Sequence, residues 1–131
     1  MNFFEQEMRR FFEDCDFISD QKYTGRTMLG RLDDELLVKA TLVSTHIADH
    51  YNAVRIKILN RGDGEVDSET VRFGDVIGKV NQYGEKVDPY IWDGGNQIGW
   101  YTPVSDEQKQ NISDALTDYV SMYCSQGLSL Q

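Results

Sequence analysis

Val54-Arg55-Ile56-Lys57-Ile58 sets an apolar side chain at every second position with a cation between each pair. That two-residue period belongs to a strand with one face on a core and the other in water. Upstream, Leu36–Thr45 repeats the pattern: Leu36, Val38, Ala40 and Leu42 point one way, Lys39 and Thr41 the other. A third run, Thr27–Leu32, is joined to it by the polar turn Asp33-Asp34-Glu35. Downstream, Arg61-Gly62-Asp63-Gly64 supplies the residues of a tight hairpin before a fourth run, Glu65–Phe73, whose apolar members are Val66, Val71 and Phe73. Gly74–Asp88 reads as loop. A second hairpin follows, with Tyr90-Ile91-Trp92 and Gln97–Tyr101 around Asp93-Gly94-Gly95-Asn96.

Helical patterning stands at both ends. From Asn2 to about Asp14, Phe4, Met8, Phe11 and Phe12 share a face. Ser105 and Gln108 form a capping box, and Ile112, Ala115, Leu116, Tyr119, Val120 and Tyr123 make the inner face of a helix that Gly127 is expected to stop. The expected architecture is α+β: one domain over 1–131, an antiparallel meander of four to six strands, and both terminal helices packed on one face. The other face should be wet and carry Lys39, Arg55 and Lys57, joined by Arg31.

A chain of 131 residues with 40% hydrophobic and 27% charged residues fits one globular domain. No apolar run approaches the ~20 residues of a membrane helix, and the first residues lack the pattern of a secretory signal. The cytoplasm is the expected compartment, with Cys15 and Cys124 as reduced thiols. Net charge is −9 and unevenly spread. Residues 1–20 hold six acids and two bases, 21–61 four acids and seven bases, and 62–131 twelve acids and four bases. Such acidity opposes simple association with nucleic acid or anionic membrane.

Four groups of residues could carry function. His46 and His50, four apart with Asp49 between them, have the spacing of zinc ligands on a helix. The segment links two strands, however, and Ile47 stands where a zinc protease has glutamate, so solvated loop histidines are expected and no metal or other cofactor. Glu65, Asp67 and Glu69 alternate on one strand and should project to one side about 6–7 Å apart, from a rise of ~3.3 Å per residue. That row, and a second formed by Glu107, Asp114 and Asp118 on the last helix, could imitate a nucleic-acid backbone. As a calcium loop the first row fails, because Ser68 occupies the glycine position. Trp92 and Trp100, nearest the turn of the second hairpin, are the expected exposed anchors for a partner. No nucleophile elbow, phosphate loop or dinucleotide fingerprint is present.

The run Leu37–Gly78, with Leu-Val-Lys-Ala-Thr-Leu-Val-Ser-Thr near its start and Phe-Gly-Asp-Val-Ile-Gly at its end, resembles small uncharacterised acidic proteins of Firmicutes conjugative and other mobile elements. So does Tyr90-Ile91-Trp92 followed by Trp100-Tyr101. The resemblance implies a mobile-element setting, in which small acidic proteins act against host restriction or CRISPR defences, but it transfers no functional residue. The leading expectation is a non-enzymatic macromolecule-binding protein, in its most concrete form an acidic nucleic-acid-mimicking inhibitor with a protein partner. The alternatives are an accessory nucleic-acid binder using Arg31, Lys39, Arg55 and Lys57, or a small carboxylate-dependent hydrolase. A homodimer is compatible with all three.

Overall fold

The alternation centred on Ile56 builds a strand of a five-stranded antiparallel sheet, with a second sheet of three strands beside it. The computed structural model describes residues 3–12, 15–62, 64–78, 80–94 and 97–129, apart from the side chains of 3–5, 93–94, 97–99 and 124–129. In chain order the elements are α1 (Phe3–Phe12), β1 (Ser19–Thr24), β2 (Thr27–Arg31), β3 (Leu36–Val43), β4 (His50–Tyr51), β5 (Ala53–Asn60), β6 (Gly64–Arg72), α2 (Phe73–Ile77), β7 (Ile91–Gly94), β8 (Gln97–Trp100) and α3 (Asp106–Ser129). The large sheet runs β1-β2-β3-β5-β6 and the small one β4-β7-β8. The protein is therefore α+β, as expected, but the second hairpin joins β4 rather than extending the meander.

One face of the large sheet makes the core. Met28, Val38, Ala40, Leu42, Val54, Ile56 and Ile58 are buried in one cluster with Met8, Phe11 and Phe12 of α1 and Ile112, Leu116 and Val120 of α3. The capping box forms: the Ser105 amide donates to Gln108 Oε1 at 2.8 Å and the Gln108 amide to Ser105 Oγ at 3.1 Å. Helix α3 runs past Gly127 to Ser129, so that glycine does not end it.

Two elements depart from expectation. Phe73 opens α2 instead of closing a strand; its ring is buried, 6.0 Å from Phe11 and 5.2 Å from Trp100. Strand β1, all polar except Tyr23, lies at the sheet edge and is fixed by a close approach. A Cβ at Gly30 would stand 2.4 Å from Ile18 Cγ2, so only glycine lets the chain entering β1 lie against β2.

The helix layer also holds a buried acid. Glu7 is 8% exposed, and its Oε2, like the Trp100 indole nitrogen, has no hydrogen-bond partner of ordinary geometry. Burial raises its pKa; the charges of Lys109 and Arg10, and the neighbouring indole, offset this only in part. A carboxyl that binds its proton more tightly when folded supports the fold below its ordinary pKa of 4.5 and loses that contribution as pH rises through the folded value. Glu7→Gln should therefore stabilise the protein at pH 7 by about 1 kcal/mol. Thermal melts should show the gain shrinking to nothing as the pH drops below 4.5.

Candidate functional site

The open face of the large sheet can be read row by row from its pairing. One row runs Lys22, Leu29, Lys39, Lys57, Ser68; the next runs Thr24, Thr27, Thr41, Arg55, Thr70. Lys39 and Lys57 stand directly opposite each other, with Arg55 on the diagonal. Opposed residues have Cβ atoms about 4.5–5.5 Å apart, and like charges so placed are destabilising. With flexible stems in water the cost is about 1 kcal/mol. Lys39, Thr41, Val43, Arg55 and Lys57 line a shallow recess of about 140 Å³. Arg55 Nε donates to Thr70 Oγ1 at 3.3 Å, and the hydroxyls of Thr27 and Thr41 meet at 3.2 Å.

The acids of this face stand at its edges. Asp20 lies 3.7 Å from Arg31 beside β1, and Glu65 lies 3.5 Å from Lys57 on β6. Among the described residues, no carboxylate lies within ion-pair distance of Lys39 or Arg55. Four expected basic residues thus share one surface, and Lys22 joins them.

The acidic residues do not form the expected single row. A bulge shifts the β5–β6 register between Ile58 and Leu59: Ile58 pairs with Asp67, but Leu59 pairs with Glu65, leaving Val66 as the extra residue. Glu65 is therefore turned onto the basic face, while Asp67 and Glu69 remain on the helix-covered side, opposite Ile58 and Ile56. There the Tyr123 hydroxyl donates to Asp67, which holds that carboxyl below the usual range and raises Tyr123 in return. Burial, more than this contact, raises the neighbouring Tyr119. On α3, Glu107, Asp114 and Asp118 fall on one line at intervals of seven and four, opposite the buried Ile112, Leu116 and Val120. All three are exposed, and they face away from the β6 acids.

The second hairpin and β4 gather rings. His50 lies flat on Tyr90 (4.2 Å between centroids, 10° between planes), Tyr90 on Tyr101 (5.7 Å, 2°), and Trp92 meets Tyr101 edge-on at 4.6 Å. Trp92 is half-buried. Trp100, expected as an exposed anchor, is packed on the core instead, with Lys109 over its ring. His46, Ile47, His50, Asn52, Asp88 and Tyr90 line a recess of about 110 Å³ where the two sheets meet. Asn52, 3% exposed, organises it. Its Oδ1 accepts from the Thr45 amide and hydroxyl at 2.9 and 3.0 Å, and its Nδ2 donates to Asp88 Oδ2 at 2.6 Å. Arg72 donates to the same oxygen at 3.2 Å.

The two candidate histidines thus share one recess. Asp49 is exposed on the turn with φ +67, and among the described residues no group of three histidine, cysteine or acidic side chains is placed to hold a metal ion. A further recess contains both Asp75 and Asp88, but each meets a cation, Lys86 and Arg72 respectively, at 3.2 Å. Asn52, Arg72 and Asp88 escaped the sequence reading because they lie at strand ends or in a stretch with no period. No described helix is long and apolar enough to cross a membrane. Compared with protein-family models, curated proteins and solved structures, the chain matches none.

Proposed function

We propose that this protein is a non-enzymatic, cytoplasmic accessory factor that holds single-stranded nucleic acid across the open face of its five-stranded sheet. The observation that carries the reading is the Lys39–Lys57 opposition with Arg55 beside it. A chain with 22 acids has ample means to neutralise these cations, yet among the described residues Lys39 and Arg55 have no carboxylate within ion-pair distance, and Lys57 meets Glu65 at the rim. Arg55 and Lys57 project from one strand about 6–7 Å apart, a spacing suited to consecutive phosphates of an extended strand. The threonine row adds hydroxyl donors, which commonly contact phosphate. The overall charge of −9 makes the association weak and dependent on low salt.

The acidic-mimic reading, motivated by the net charge of −9 and the carboxylate rows, has less support. Of its two carboxylate rows, the bulge divides Glu65, Asp67 and Glu69 between two faces, while Glu107, Asp114 and Asp118 stay in line on α3. It keeps one distinct test, since a mimic binds basic proteins through Glu107, Asp114 and Asp118.

Fluorescence anisotropy with labelled oligonucleotides at about 50 mM salt tests the proposal. Three phosphate contacts predict that log affinity falls with log salt at a slope of roughly −2, from about 0.7 per contact on a single strand. Reversing charge with Arg55→Glu and Lys57→Glu should weaken binding at least tenfold, while neutralising the α3 acids should leave it equal or stronger. Unaltered affinity in the Arg55→Glu/Lys57→Glu protein, or no binding by the native one, would reject the proposal.

A further inference from the structure

We infer that the recess between the two sheets receives an unpaired nucleobase bearing an amino group, at one end of the strand lying on the basic face; the inference rests on the reading above. The described side chains of that face are lysine, arginine, threonine, serine, aliphatic and acidic, with no ring among them. Single-strand binders pair a cationic track with aromatic platforms, and each stacked base contributes roughly fivefold or more in affinity. Here the rings begin where the track ends.

Arg72 makes the connection. It closes the last row of the open face, opposite Ala53, which in turn pairs with Val43. Its guanidinium reaches Asp88, and Asp88 is a wall of the recess. A strand held by Lys57 and Arg55 and continuing along β5 toward Ala53 therefore arrives beside His50 and Tyr90. The cavity of about 110 Å³ is larger than the ~30 Å³ share of a single water molecule.

Its walls suit a flat, hydrogen-bonding ring. His50, Tyr90 and Tyr101 already form a pile of nearly parallel planes, and a base adds one more layer. Ile47, 48% exposed, stands at the rim as an apolar cover. The Asp88 carboxylate is an acceptor only. It can take a hydrogen bond from the amino group of cytosine, adenine or guanine; thymine has no amino group to offer. The buried Asn52 carboxamide and the Arg72 guanidinium hold Asp88 in position for that contact.

The experiment compares oligo-dC, oligo-dT and an abasic oligomer of the same length, each about ten nucleotides, with native protein at about 50 mM salt. We expect oligo-dC to bind about fivefold tighter than oligo-dT and tighter still than the abasic strand. Tyr90→Leu and His50→Leu, each verified as folded by circular dichroism, should reduce both preferences below twofold without altering abasic affinity. Equal binding of all three strands by native protein sinks the base site. If Arg55→Glu/Lys57→Glu still abolishes that binding, the electrostatic reading survives alone. Preferences that persist in both ring variants also sink it, and no binding of any strand overturns both readings.

Discussion

Phe73→Ala should cost about 3–5 kcal/mol of folding stability, the largest single loss expected in this chain. Phe73 is fully buried where α1, α2 and the small sheet converge, between the rings of Phe11 and Trp100. Two terms add: the transfer free energy of the lost ring and the cavity it leaves. Collapse of the cavity is restricted because the Phe73 amide is tied to the Asn52 carbonyl at 2.9 Å, which keeps the start of α2 in place. Urea unfolding followed by circular dichroism measures the effect. Phe73→Leu should recover more than half of the loss, whereas equal losses for the two variants would mean that ring volume is not what matters there.

Asn52→Ala should cost about 2–3 kcal/mol, because one residue holds five hydrogen bonds at the junction of the two sheets. The backbone pair, to the Val43 carbonyl and from the Phe73 amide, survives the substitution. The three side-chain bonds do not, and the turn carrying His46 loses its tie to Asp88. Asn52→Asp is the sharper test. It keeps the shape but sets a second carboxylate where Nδ2 now donates to Asp88 at 2.6 Å. Two carboxylates so close cannot both ionise at ordinary cost, so one pKa rises on folding. A raised acid stabilises the fold at low pH and loses that contribution as pH rises. Asn52→Asp should therefore melt near the native temperature in acid and well below it at pH 7, while Asn52→Ala should show a loss that changes little with pH. Parallel pH profiles for the two variants would contradict this account of the junction.

The sequence exposed those parts of the fold that repeat. Ile56 and its neighbours, the β3 alternation and the α3 face each present several residues in one period, and the sheet face carrying Lys39, Arg55 and Lys57 followed from them. Single exchanges were invisible. Strand β1 is too polar to announce itself and depends on the Gly30 approach. Strand β4 is two residues long and exists because β7 pairs with it. The alternation of β6 visibly slips, since Val66 and Val71 stand an odd number of residues apart, but the slip reads as falling around Ser68–Thr70, and the structure places it at Val66, where Glu65 and Asp67 part company. Trp100 was expected outside because it neighbours a turn, whereas the fold closes Phe73 and Lys109 over it.

That extra residue gives β6 an unusual kind of adjustability. Deleting Val66 would restore strict two-residue phase and leave Glu65 opposite Leu59 on the basic face, whereas flattening the bulge with Val66 kept would pair Val66 with Leu59 and carry Glu65 through the sheet, so this one irregularity decides which surface bears that negative charge. The electrostatic character of each side is thus set by pairing register as well as by composition, at an edge strand where no further partner strand constrains the outcome.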